Sequence, residues 1–136
     1  MGDMTQHFSR VEFACQGNHC CGHSAPIALN LVNALEHLWR LVSEYLGHDT
    51  LLIITSGFRC RTHNAETLGA VPNSWHTRGL AADVRVPVGM TVERFAALAE
   101  TIDVFQRSGI GLYDGRIHVD VRPDGPARWD KRKKKP

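Results

Sequence analysis

No stretch of this sequence approaches the roughly 20 consecutive apolar residues that a membrane-spanning helix needs, so a membrane span is excluded. The opening Met1-Gly-Asp-Met-Thr-Gln-His7 lacks the basic-then-apolar pattern of a secretory leader. That predicts a chain made in the cytoplasm without a signal peptide, which would act outside the cell only if something else releases it. There is no internal repeat, no phosphate-binding glycine loop and no Ser-His-Asp arrangement; Gly109-Ile-Gly111 alone is too short to mark a nucleotide site. A strong excess of one charge is missing too. The net charge of +2 misleads, because Lys131-Arg132-Lys133-Lys134-Lys135 supplies five positive charges and leaves −3 on the rest. The domain itself is therefore not a basic nucleic-acid binder, and residues 131–136 read as a separate disordered tail. Two readings of the tail stand side by side: attraction to an anionic polymer such as teichoic acid, lipopolysaccharide or nucleic acid, or a solvated terminus, the second being preferred. A nucleic-acid-associated protein driven by the tail would bind with a steep salt dependence that disappears when the tail is removed.

What is present is ordinary for a globular protein. With 136 residues, 43% of them apolar and 22% charged, the chain forms one domain with a single core, expected over residues 1–130. Ala25-Pro26 opens a first helix whose buried face is Ile27, Leu31, Leu35, Leu38, Val42 and Tyr45, and Gly47 ends it. The apolar run Leu51–Thr55 predicts a central strand buried on both faces. Thr91 caps a second helix reaching about Ile102, with Phe95, Leu98, Ala99 and Ile102 on its core face. Gly109–Tyr113 and Arg116–Val121 read as strands joined by a tight turn at Asp114-Gly115. Arg122 to Trp129 is expected to be a closing loop. Phe8, Val11 and Phe13 are expected to dock the first 24 residues, which carry Cys15, Cys20 and Cys21. The fold class is α+β: a small antiparallel-rich sheet with two main helices.

The chemistry-bearing stretch is Asn73-Ser-Trp-His76-Thr-Arg-Gly79-Leu-Ala81-Ala-Asp83. In the strand that follows Gly79, the alternation places Ala82, Val84 and Val86 on one face and Asp83 on the other. In the later strand, Ile117, Val119 and Val121 share the apolar face, and Arg116, His118 and Asp120 share the opposite one. If these strands pair, Asp83 and His118 point into one cleft, and a tight loop through Gly79 brings His76 to them. Two imidazoles and a carboxylate with an open fourth position make a donor set suited to catalytic zinc. On spacing alone, the same residues also fit an edge aspartate and packed histidines.

Taken together, His76-Thr-Arg-Gly79-Leu-Ala81-Ala-Asp83, Ser56-Gly-Phe-Arg59-Cys60, His63-Asn64, Gly109-Ile-Gly-Leu-Tyr113 and His118-Val-Asp120 resemble the D-Ala-D-Ala carboxypeptidase family of zinc peptidases, peptidase family M15. The likeness is to its small single-domain branch common in phages and prophages, and it runs from about His7 to Trp129. The resemblance implies the hedgehog/DD-peptidase fold and a zinc ion on His76, Asp83 and His118. It also implies a substrate carboxylate gripped by Arg59 with help from Ser74, and hydrolysis of a peptidoglycan amide next to a D-amino acid, as carboxypeptidase or endopeptidase. Relatives often carry a base two or three residues before the last ligand. Here those positions are Arg116 and Gly115, so Asp120 is the preferred candidate, as a base acting through the water or as a residue orienting a ligand histidine. Asp114 is the other candidate but is expected to be spent on the turn, and Arg116 would either stabilise the oxyanion or point to solvent. The missing base also supports an alternative, a catalytically inactive zinc-containing module that binds cell wall. Relatives further carry a cysteine-rich N-terminal stretch and a cysteine after Ser-Gly-x-Arg, where Cys60 stands. The implied readings are a disulfide from Cys60 to Cys15, Cys20 or Cys21, which is preferred, or a structural metal on several of these cysteines with His19 and His23, or free buried thiols.

Overall fold

The structure is a computed structural model, and it describes residues 2–18, 20–67 and 69–133. The fold is α+β, built on a five-stranded mixed sheet. In chain order the helices are α1 (Leu29–Leu46), α2 (Arg61–Glu66), α3 (Val92–Glu100) and α4 (Asp103–Gln106). The strands are β1 (Ile54–Ser56), β2 (Ala81–Arg85), β3 (Gly109–Tyr113), β4 (Arg116–Asp120) and β5 (Ala127–Asp130). They lie side by side in the order β1-β2-β4-β3-β5, antiparallel except for the parallel pair β3 and β5.

The alternation read from β2 and β4 becomes two chemically distinct sheet faces. Ala82 pairs with Val119 and Val84 with Ile117, and these residues join Ile110 in the core under α1 and α3. Leu31, Leu35, Leu38 and Val42 of α1 and Phe95 and Ala99 of α3 supply the helical side of that core. Burying each of the larger side chains stabilises the fold by about 1.5–3 kcal/mol before entropy is counted. Thr91 caps α3 as expected, its hydroxyl accepting from the Arg94 amide at 3.1 Å. Gly47 ends α1 in the left-handed conformation, as its position predicts.

Several expectations need correction. The helix α1 begins at Leu29, not at Ala25-Pro26, because Pro26 and Ile27 pack against the loop at Gly79 and Ala28 is extended, its amide donating to the Gly79 carbonyl at 2.9 Å. Tyr45 is 52% exposed and lies under the Arg94 guanidinium instead of facing the core. The strand at residues 51–55 is shorter and lies at the sheet edge. It pairs only with β2, so Leu52 and Ile54 are buried while Leu51 is 70% and Ile53 37% exposed. A run of apolar residues thus behaves as a one-sided strand. Val11 is 76% exposed, because the short 3-10 turn Arg10–Phe13 turns only Phe13 inward. The expected closing loop contains β5, and the short α4, with buried Phe105, follows α3. At the start of the expected tail, the Lys131 amide donates to Leu112 O and the Lys133 amide to Asp114 Oδ2; residues 134–136 lie outside the described residues, as does His19.

Candidate metal centre

The sheet places Ser56, Asp83, His118, Gly111 and Trp129 in one row across five strands, each register partner next to the last. All five project from, or open onto, the face away from the core. Glycine at position 111 is required there, since a Cβ would overlap the Trp129 indole, which lies against the His118 ring at 4.9 Å. His76 reaches this row from the 3-10 turn Trp75–Arg78. Ser74 caps that turn, its Oγ accepting from the His76 amide at 3.2 Å. Gly79 leaves the turn at φ 69°, packed so closely on the Pro26 carbonyl that no side chain fits.

Hydrogen bonds fix which ring nitrogen faces inward. The His76 Nδ1 lies 2.8 Å from Gly57 O, an acceptor only, so Nδ1 carries the proton and Nε2 presents its lone pair. The His118 Nε2 lies 2.7 Å from Asp120 Oδ2, so Nε2 carries the proton and Nδ1 faces the other way. Both free nitrogens converge on Asp83 Oδ1, His76 Nε2 at 3.3 Å and His118 Nδ1 at 3.2 Å. Ligands about 2.1 Å from a tetrahedral ion sit about 3.4 Å apart, so the three atoms fit a metal with one position left over. All three residues are buried. Burial pushes the Asp83 carboxyl up, but the adjoining imidazoles of His118 and His76 outweigh it and hold Asp83 well below the usual carboxylate range. Burial lowers His118, but Asp120 and Asp83 together raise it above its ordinary value.

Asp120 is 0% exposed and heavily engaged. Besides His118, its carboxylate accepts from the Gly109 amide at 2.7 Å, the Arg122 amide at 3.2 Å, and Arg122 Nε and Nη2, the latter at 2.7 Å. Burial raises its pKa, yet the His118 and Arg122 hydrogen bonds win and lower it strongly. It sits beyond the His118 ring from Asp83. Asp114 accepts from the Lys133 amide on the turn.

Arg59 follows β1, and its Nη2 donates to Ser74 Oγ at 3.2 Å while its Nε is buried without a partner. Burial lowers the guanidinium pKa, a cost that Asp83 partly offsets. Two clefts, about 850 and 440 Å³, meet at Arg59, Thr67, Asp83 and Arg116. The larger runs toward Gln16–Asn18 and the smaller toward Trp75 and Trp129. Arg116 stacks on Tyr113 and reaches within 4.0 Å of Asp83 Oδ2.

The structure therefore brings His76, Asp83 and His118 together, with Arg59 and Ser74 beside them and Asp120 behind. Three contributors were missed. Arg122 clamps Asp120 and lies near the rings of Trp75 and Trp129, at 5.5 and 5.4 Å; it continues the polar alternation Arg116, His118, Asp120, which was the available signal. Gly109 leaves the room that Asp120 occupies. The Tyr113 hydroxyl accepts from Trp129 Nε1 at 2.9 Å; nothing in the pattern of residues 122–129 announced that pairing.

The preferred disulfide is not formed. All four cysteines are free, and the Cys60 Sγ lies 3.8 Å from that of Cys15, against about 2.05 Å for a bond. His23 turns its Nδ1 to the Cys15 carbonyl at 2.9 Å and is not in the sulfur cluster.

A search of curated proteins gives no match. A family profile described as Peptidase M15 matches residues 6–120, a span that takes in the docking segment, the Arg59 loop and every residue of the His-Asp-His group. With that match covering most of its length, the chain belongs to the peptidase M15 family, whose members are metallopeptidases.

Proposed function

We propose that this protein is a zinc-dependent peptidoglycan peptidase that hydrolyses an amide next to a D-amino acid. The observation that carries the reading is a guanidinium, Arg59, in the same cleft as His76, Asp83 and His118. Arg59 lines both clefts beside Asp83 and is held through Nη2 by Ser74 Oγ, which places a guanidinium suited to a substrate carboxylate next to the donor set. The D-amino-acid preference rests on the resemblance of the motifs. The cleft continues on both sides of Asp83, which accommodates endopeptidase action, while Arg59 beside the donor set accommodates carboxypeptidase action.

His76, Asp83 and His118 would hold the zinc ion, which would supply polarisation of the scissile carbonyl and activation of a water. Arg59 and Ser74 orient the substrate. Arg116 faces the cleft beside Asp83 and stabilises negative charge developing on the carbonyl oxygen. Asp120 is a positioning residue: it holds a proton on His118 Nε2 so that Nδ1 stays a ligand. A second reading, a metal-containing wall-binding module without activity, is favoured by Gly115 and Arg116 at the positions where relatives carry a base, and by the full engagement of Asp120.

The deciding experiment is peptide release from purified peptidoglycan by zinc-loaded protein, beside His118→Ala, with metal content determined on both. Release by the wild type and loss of both metal and release in the variant support the peptidase. Tight zinc binding by the wild type with no release from several wall types would establish the binding module instead.

A further inference from the structure

The peptidase centre uses none of the four cysteines, yet the fold gathers them. We propose that Cys15, Cys20, Cys21 and Cys60 form a second metal site, a structural zinc tetrathiolate that fastens the N-terminal segment to the substrate-binding wall of the cleft.

The sulfur geometry carries the proposal. Four thiolates about 2.3 Å from a tetrahedral zinc lie about 3.8 Å from one another. Here Cys15 and Cys20 are 3.9 Å apart, Cys15 and Cys60 3.8 Å, and Cys20 and Cys21 3.9 Å. All four sulfurs fall within 4.8 Å of one another. Disulfides would bring sulfurs together in pairs, not four around one point. Apolar packing does not explain the cluster either, since only Cys15 is buried, Cys21 and Cys60 are half-buried and Cys20 is exposed. An all-sulfur donor set selects a soft tetrahedral ion, zinc before iron where no redox role is built in.

The chain is bent to make the cluster. Gly17 passes so close to the Cys20 sulfur and His63 that no Cβ fits. Gly22 and His23 take consecutive left-handed conformations, at φ 68° and 62°. A histidine seldom adopts that backbone, and such strain persists only where other contacts impose it. The Cys15 amide then closes the loop onto Ser24 O at 2.7 Å. On the other side, Cys60 caps α2, its Sγ accepting from the His63 amide at 3.4 Å, which fixes the sulfur in the cluster.

The position gives the site a purpose. Cys60 directly follows Arg59, and the same short segment supplies the Gly57 carbonyl that orients His76. Phe58 N donates to Phe13 O at 2.8 Å, and Gln16 Nε2 to Thr55 O at 2.9 Å. Gln16, Gly17, Asn18 and Cys20 themselves line the larger cleft. A metal bridging Cys60 to residues 15–21 would lock that wall in place.

The site shares no ligand with the peptidase centre, so the two readings fail separately. The test uses the full chain, produced with zinc and purified anaerobically without chelator, as wild type, Cys60→Ser, Cys21→Ser and His118→Ala. Two zinc ions per wild-type chain and one in each variant are expected. With cobalt substituted for zinc, the wild type and His118→Ala should show the intense thiolate-to-cobalt charge-transfer absorption, and the cysteine variants should lose it. If a cysteine variant fails to fold, the cobalt spectra of the wild type and His118→Ala decide alone. One metal in the wild type without that absorption, or two thiols missing from a titration of the unfolded protein, would overturn the proposal. Iron in place of zinc would overturn the assignment of the ion.

Discussion

Replacing Asp120 by asparagine keeps the side-chain shape and an acceptor for His118 Nε2, but removes the charge that holds the proton there. Replacing it by alanine removes the acceptor as well, and leaves Arg122 and the Gly109 amide without their partner. If Asp120 positions the ligand, both variants lose metal affinity, by about tenfold for Asp120→Asn and about 100-fold for Asp120→Ala. Saturating zinc should then restore much of the peptide release in the asparagine variant. A base acting on the water predicts the reverse, unchanged affinity with abolished release, so titration with zinc beside the activity measurement separates the two roles. At Gly111 the prediction concerns space. Gly111→Ala pushes a methyl into the Trp129 indole, so the ring must leave His118. A destabilisation of about 1–3 kcal/mol is expected, with a change in tryptophan fluorescence in the folded state.

At the scale of the element, the strands that carry ligands were legible and the borders of the sheet were not. Alternation alone assigned Asp83 and His118 to the same face, because a strand buried on one side must repeat every second residue, and the register pairs the two directly. The Asp114-Gly115 turn was legible for a similar reason, being set by local backbone chemistry. The edge position of β1 was hidden, since Leu51–Ile54 is apolar whether one face or both are covered. The strand β5 was hidden because the alternation Ala127-Arg128-Trp129-Asp130 is only four residues long, follows Pro123, Gly125 and Pro126, and is held by a long-range parallel pairing with β3. The late start of α1 follows from a long-range contact with Gly79. In the candidate site, spacing alone left His76, Asp83 and His118 open between a donor set and packed or edge residues, and the resemblance of the motifs singled them out. Arg122 was announced only by the continued alternation of Arg116, His118 and Asp120, while the roles of Gly109 and Gly111 depend on contacts across strands and had no local signature. Where local chemistry does decide, it can be measured: Thr91→Ala deletes the α3 cap and should cost about 1 kcal/mol in denaturant unfolding with an unchanged slope.

For the whole molecule, the buried charges of the centre tie stability to pH in opposite directions with and without metal. In the metal-free protein His118 has a raised pKa, so its protonated pairing with Asp120 and Asp83 stabilises the fold. That contribution is complete below the unfolded histidine value of about 6.5 and is lost as pH rises through the raised folded value. Asp83 and Asp120 have depressed pKa values, so their contribution is present above about 3.9 and is lost as pH falls below it. The metal-free fold is therefore favoured at mildly acidic pH, between those limits. Zinc requires both histidines unprotonated at the ligand nitrogen, so its stabilisation grows as pH rises, reaching about 2.7 kcal/mol at a free concentration 100 times Kd. Thermal melts from about pH 5 to 8 should show the difference in Tm between zinc-loaded and chelator-treated protein widening with pH. His118→Ala should lose most of that widening, keeping only what a thiolate site contributes. Parallel curves for wild type and variant would mean that the His-Asp-His group does not couple metal binding to folding.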